Sequence, residues 1–266
     1  MHLLYIGDVM GEPGIETVAA VLPALKQQEH IDVVIAQAEN VTRGRGLSVE
    51  DYKRLREVGI DGFTGGNHTV ALPETAALLN DPNVPVTGPA NMLGCPGPGF
   101  KYMSTPKGKV LIISLLGKIV GRDAEKEVDN PLQKIDAILE AEKDVPRTAT
   151  IVNFHGDFSS EKVIVGHYLS GRVSAVIGDH WHVPTADAQV LPGGTAHQTD
   201  VGMCGSLDSS LGVTFASVIP RWRDGVQTRN VLETEGRRQF NALLVTIDEK
   251  SGLATAVRPV QQILEA

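Results

Sequence analysis

Cysteine, positive charge and long apolar runs are all scarce in this sequence of 266 residues. The two cysteines, Cys95 and Cys204, lie far apart with no CxxC, so the chain builds neither a disulfide framework nor a thiolate zinc cage. Lys and Arg number 24 against 32 Asp and Glu, a formal charge of −8 at pH 7. A protein that wraps a nucleic-acid backbone needs a cation for each phosphate it contacts, so a broad nucleic-acid surface is excluded. The apolar runs, such as Val110 to Leu116, are strand length, well short of the roughly 20 residues that span a bilayer. The N-terminal stretch has no basic leader and meets Asp8 early, so the expectation is a soluble, cytoplasmic protein. Internal repeats, low-complexity tracts and linkers are absent too.

What the chain does have is 42% hydrophobic residues, with 28 Gly and 15 Pro scattered along it, a composition for many short elements joined by tight connections. Apolar, β-branched runs recur at Leu3–Ile6, Asp32–Ala36, Gly62–Thr64, Val110–Leu115, Thr150–Phe154 and Val173–Ile177. Runs of this kind suit strands buried on both faces beneath helices. Ile15, Val18, Ala19, Leu22 and Leu25 recur at helical spacing over Pro13 to Gln28, where Pro23 is expected to bend or end the helix. Ser48 to Val58 opens on an N-cap serine with acids in the first turn, and Pro131 to Lys143 is a further helix. Phe240–Ile247 and Leu253–Val260 flank a polar, Gly-containing loop and predict a β-hairpin. The simplest arrangement is one α/β domain over 1–266, with an excursion around 209–236 that covers a site or a subunit contact.

The informative pattern lies in the polar residues at the end of each buried run. Leu3–Gly7 leads to Asp8, Val33–Ala38 to Glu39 and Asn40, and Phe63–Gly66 to Asn67 and His68. Ile151–Phe154 leads to His155, and Val176–Gly178 to Asp179, His180, Trp181 and His182. Taken singly, each has a bland explanation: Asp8 as a cap or turn residue, Asn67 in a left-handed turn, His155 as a hydrogen-bonded core histidine. Ligands in open α/β sheets bind beyond the carboxyl ends of strands, however, and five such ends carry polar groups here. In an extended segment His180 and His182 point the same way and present two imidazoles to one site. Imidazole, carboxylate and amide oxygen without sulfur suit iron, manganese, zinc or nickel. The groups exceed the needs of one tetrahedral ion, so two ions are implied, with Glu39 as a natural bridge. Two ions held close together activate water and clamp the oxygens of a phosphoryl displacement, which is phosphoester chemistry.

The order Asp8, Glu39-Asn40, Gly66-Asn67-His68, His155 and Gly178-x-His180-x-His182 resembles the calcineurin-like metallophosphoesterases. It is most similar to their YmdB-like branch of bacterial 2′,3′-cyclic-nucleotide 2′-phosphodiesterases. Matching stretches include Tyr5 to Val9, Gly11-x-Pro13-Gly14, Gly65 to Thr69, Ser160-Glu161-Lys162, Val183-x-Thr185-Ala186-Asp187 and Thr199 to Met203. The resemblance implies an αββα sandwich, two mixed sheets flanked by helices. It implies that Asp8, Glu39, Asn40 and His182 hold one metal and Glu39, Asn67, His155 and His180 the other, with iron expected and manganese a substitute. His68 is then the proton donor, and a metal-bridging hydroxide attacks phosphorus in line, opening the 2′ bond to leave a 3′-nucleotide. Arg43 and Arg45, on the loop after Asn40, are candidates for contacting phosphate or ribose; a solvated loop is the competing view.

Three stretches depart from that pattern: Val70 where an aromatic is common, Asp179 where a small hydroxyl residue is common, and Gly156 with Asp157 after His155. Val70 removes a stacking face, and Asp179 adds charge near the rim unless it is paired. Trp181, between two ligands, is expected to point away from them and pack against the sheet. Cys204 has no neighbouring base and reads as a small residue in a tight loop. The competing functions are a phosphomonoesterase or phosphoprotein phosphatase using the same metals, and a metal-dependent regulatory or RNA-associated protein without turnover. A small phosphoester substrate and a homo-oligomeric state complete the expectation.

Overall fold

The computed structural model describes residues 1–120 and 127–266. Two mixed sheets pack face to face, with helices on their outer sides. In the first sheet β1 (His2–Ile6) pairs in parallel with β3 (Val33–Gln37), which pairs in parallel with β4 (Gly62–Thr64). On its other side β1 runs antiparallel to β12 (Arg238–Ile247), whose far edge carries β13 (Ala254–Leu264). β11 (Met203–Ser206) joins the start of β12 and leads to β2 (Asp8–Val9), its parallel partner. In the second sheet β6 (Gly108–Leu116), β7 (Ala149–His155), β8 (Ala175–Asp179) and β10 (Ala196–Gln198) are parallel neighbours. Antiparallel β5 (Phe100–Thr105) and β9 (Gln189–Val190) close its two edges.

Strand alternation divides the core. Leu3, Tyr5, Val33, Ile35, Leu243 and Val245 point from the first sheet toward Val110, Ile112, Ile151, Ala175 and Ile177 of the second. Their alternates, Leu4, Ile6, Val34 and Ala36, face the outer helices α1 (Gly11–Gln28) and α2 (Val49–Val58), where Val18, Leu22 and Leu55 cover them. Leu111, Ile113, Val152 and Phe154 face α4 (Pro131–Ala141) and α5 (Ser159–Tyr168) on the opposite side. The central strands of both sheets are thus buried on both faces, which is why they read as continuous apolar runs.

The predicted hairpin is β12 with β13, and the predicted helices are α1, α2 and α4. Pro23 does not end α1, which continues to Gln28. Pro23 and Ala19, the residue whose carbonyl loses its helical partner, both lie on the exposed side, so the missing bond is open to solvent. The segment 209–236 leaves β11 and returns at β12, carrying α6 (Phe215–Asp224). Leu232 anchors it against Met10, Met203, Val213 and Val218. None of the described helices is long and apolar enough to cross a membrane.

Candidate metal centre

The carboxyl ends of β1, β3 and β4 in one sheet meet those of β7 and β8 in the other, and the polar residues following or ending them converge above the inter-sheet core. Glu39 is buried, with Oε1 3.3 Å from His155 Nε2. Ligand atoms of Glu39, His155 and His180 all lie within 4.8 Å of one another. Asn67 Oδ1 joins this group at 2.8 Å from His155 Nε2. On the other side of Glu39, His182 Nε2 stands 3.8 Å from Asp8 Oδ1. Asn40 Nδ2 lies 3.4 Å from Asp8 Oδ1, 3.1 Å from Glu39 Oε1 and 3.3 Å from His182 Nε2. Its Oδ1 meets His68 Nδ1 at 2.8 Å. A half-turn of this amide exchanges O and N, so one side chain can face a cation and hold His68. Gly66 makes the crowding possible: a Cβ there would sit 2.4 Å from Glu39 Oε2 and 2.5 Å from the His155 ring.

His180 and His182 do not lie in an extended segment, as the sequence suggested. β8 ends at Asp179, and both histidines take left-handed backbone conformations, φ +106° and +64°. For non-glycine residues this costs on the order of 1–3 kcal/mol each and persists only where surroundings enforce it. The enforcement is visible. Lys162 is fully buried, its Nζ donating to the Asp179 carbonyl at 2.6 Å and to Asp200 Oδ2 at 2.8 Å. The same Asp200 oxygen accepts Trp181 N–H at 2.9 Å, and Asp8 Oδ2 accepts His180 N–H at 3.2 Å. His182 Nδ1 meets the Leu211 carbonyl at 3.1 Å, which turns Nε2 toward Asp8 and brings the 209–236 segment to the edge of the site.

Electrostatics follow from burial and crowding. Burial alone would raise the Glu39 carboxyl, but His155 first, then His68 and His180, hold it well below the usual range. Burial, and then the Asp179 charge, push Asp8 well above its ordinary value. His182 is lowered to about 4, by burial first and then by the neighbouring His180, leaving a neutral imidazole at pH 7. His155 opposes the desolvation of its own site and is raised well above its ordinary value by Glu39 and Asp179. Carboxylates, neutral imidazole and amide oxygens on a buried floor suit hard or borderline divalent cations.

The profile of the YmdB-like protein family matches residues 4–260. The chain belongs to the YmdB-like family. It is 35% identical over 263 residues to the 2′,3′-cyclic-nucleotide 2′-phosphodiesterase of Bacillus subtilis, covering 98% of this chain and 96% of that protein. Among solved structures, it is similar to a hypothetical protein from Thermus thermophilus, with TM-score 0.89, 36% identity and complete coverage of both chains. A phosphatase from Mycoplasma pneumoniae superposes with TM-score 0.90 at 27% identity, over 100% of this chain and 94% of that one.

Within this YmdB-like frame, all seven predicted ligand positions come together, and His68 stands beside them, its N–H bonded to Glu39 Oε2 at 2.7 Å. Arg43 and Arg45 are exposed on the loop leaving Asn40, Arg43 with a left-handed φ of +52°. Val70 is exposed in the short turn after His68. Trp181 contacts Lys162 of α5 and the segment after β7. Its ring lies over Lys162 Nζ, 4.1 Å from the centroid, and its Nε1 donates to the Asp157 carbonyl, because the left-handed turns reorient the whole segment. Cys204 is buried in β11, its thiol pushed up to about 12 by desolvation, which leaves it no nucleophilic role. Two carboxylates to which the sequence assigned no role are close by. Asp157 Oδ1 lies 3.3 Å from His180 Nε2, and Asp179 contacts His155. A carboxylate one or two residues from a predicted histidine ligand was the available signal for both.

Proposed function

We propose that the protein is a dinuclear-metal phosphodiesterase that hydrolyses 2′,3′-cyclic nucleotides to 3′-nucleotides. The observation carrying this reading is the meeting of Glu39 with His155 and His180 on one side and Asp8 and His182 on the other, in a chain related along nearly its full length to a phosphodiesterase of that specificity. Asp8, Glu39, Asn40 and His182 form one proposed ligand set, and Glu39, Asn67, His155 and His180 the other. The donors fit such ions: two carboxylates, amide oxygens and imidazoles without thiolate, converging on a buried floor that a Cβ at Gly66 would fill. Iron is the proposed resident, with manganese able to replace it.

Bound ions supply an acidified water and neutralise charge on the phosphoryl oxygens. The chain's own residues do the rest. His68, held through its backbone by Glu39 and through Nδ1 by Asn40, stands beside both ligand sets and gives a proton to O2′ as the P–O2′ bond breaks. Water adds to phosphorus opposite that bond, so the phosphate remains on O3′. Arg43 and Arg45 face solvent on the loop after Asn40 and are proposed to bind a non-bridging phosphate oxygen or the ribose.

Parallel assays with 2′,3′-cyclic AMP, 3′,5′-cyclic AMP and an aryl phosphate monoester test the reading. Turnover of 2′,3′-cyclic AMP with 3′-AMP as product is expected. Turnover of the monoester alone would assign a phosphomonoesterase, the reading favoured by the Mycoplasma pneumoniae phosphatase of the same fold.

A further inference from the structure

Beneath the proposed ligands lies a fully buried carboxylate with no place in the reaction. Asp179 ends β8 with its side chain directed into the space between the sheets, at 0% exposure. Its Oδ1 lies 2.6 Å from His155 Nδ1 and 3.3 Å from Gln37 Nε2, and its Oδ2 accepts from Tyr5 Oη at 2.8 Å and from Asn153 Nδ2. A buried carboxylate is costly unless its lone pairs are used, and here four side chains donate to it. The donors are themselves held: Tyr5 Oη also meets Thr64 Oγ1 at 2.7 Å, and Gln37 Oε1 accepts the Glu39 N–H at 3.1 Å.

On the opposite edge of the same imidazole, Nε2 lies 2.8 Å from Asn67 Oδ1 and 3.3 Å from Glu39 Oε1. In the neutral form that binds a cation, an imidazole that donates Nδ1–H to a carboxylate presents its Nε2 lone pair on the other side, and its ring cannot rotate without breaking the contact. Asp179, His155 and the ligand group therefore lie in one line. We infer that Asp179 is a positioning residue that locks His155 in the Nδ1–H tautomer and aims Nε2 at the metal position shared with Glu39, Asn67 and His180. This rests on the two-ion reading above and extends it below the ligands. Gln37 ties the same carboxylate to the backbone of the bridging Glu39, so a ligand from each sheet is oriented from one buried group.

Metal-free protein, prepared with a chelator, is titrated with Co²⁺ by calorimetry and visible absorbance, for the wild type, Asp179→Ala and Asp179→Asn. The wild type takes up two ions. Asp179→Ala loses about 10–100-fold in affinity for one of them and retains the other within about twofold. Asp179→Asn, which keeps an acceptor for Nδ1–H, recovers part of the loss. Should the alanine variant not fold, the wild type loaded with Zn²⁺ decides: its ¹⁵N–¹H spectrum is expected to show His155 protonated at Nδ1 and metal-bound through Nε2. Binding of both ions by Asp179→Ala with unchanged affinity, or a His155 protonated at Nε2, overturns the role of Asp179 while leaving the two-ion reading intact. Failure of the wild type to bind two ions overturns both.

Discussion

At the residue scale, the proposed roles of His68 and Glu39 separate proton transfer from metal binding. His68 touches Asn40 and Glu39 but is proposed to donate a proton rather than to ligate. His68→Ala is expected to keep two metals per chain by elemental analysis and to lose roughly 10²–10⁴-fold in kcat, the loss growing as the leaving group becomes poorer. Loss of metal on this change would make His68 a ligand instead. Glu39 stands between the two ligand sets, so Glu39→Gln removes charge from both at once. Its metal content should fall toward zero, and no added substrate should rescue turnover.

At the scale of elements, the loop after β4 and the strand β10 make different demands. Gly66 lies where a Cβ would meet Glu39 Oε2 and the His155 ring, so Gly66→Ala is expected to lower metal affinity by about tenfold or more. Circular dichroism should still report the folded chain, because the clash is with ligand side chains and not with the sheet. In β10, His197 is buried, with Nδ1 bonded to the Val176 carbonyl at 2.9 Å and Nε2 without a partner among the described residues. Desolvation lowers its pKa below the ordinary histidine value. The unfolded chain therefore takes up a proton first as pH falls, so His197 favours the fold fully above about pH 6.5 and less as pH drops below it. Between pH 7 and pH 5 the urea midpoint of the wild type should fall more than that of His197→Leu; equal falls would refute this role.

For the whole molecule, the proposed metal site is the junction of two sheets, an arrangement in which metal binding and folding would be coupled. Each ion present at about 100-fold over its Kd adds about 2.7 kcal/mol to the folded state. Stripping the metals is expected to lower Tm by several degrees or more, and re-addition should restore it; an unchanged Tm would mean that the ions do not bridge the layers. His155 holds its proton tightly in the metal-free site, through Glu39 and Asp179, and metal must displace that proton. Affinity for the second ligand set should accordingly rise with pH, with proton release measurable in two buffers of different ionisation enthalpy.

Much of this was legible in the chain itself, for a physical reason. Period and burial are local, so continuous apolar runs announced β1, β3, β6, β7 and β8, and turn residues announced the β12–β13 hairpin. The order of Asp8, Glu39, Asn67, His155, His180 and His182 pointed to the proposed ligands because each follows or ends a strand, where the backbone itself aims the side chain at one rim. Other features depended on residues far apart in sequence. Pro23 leaves α1 intact because its lost bond lies on the exposed side, and Trp181 meets Lys162 because Asp200 and Lys162 hold its loop in left-handed turns. The pairing of Asp179 with His155 joins two strands 24 residues apart, and Tyr5 reaches the same carboxylate across 174. Strand pattern by itself determined that polar groups would gather at one edge. Only the closure of one sheet on the other decided which of them became neighbours, because that contact turns a charge expected near the rim into a buried, fully hydrogen-bonded support for a ligand.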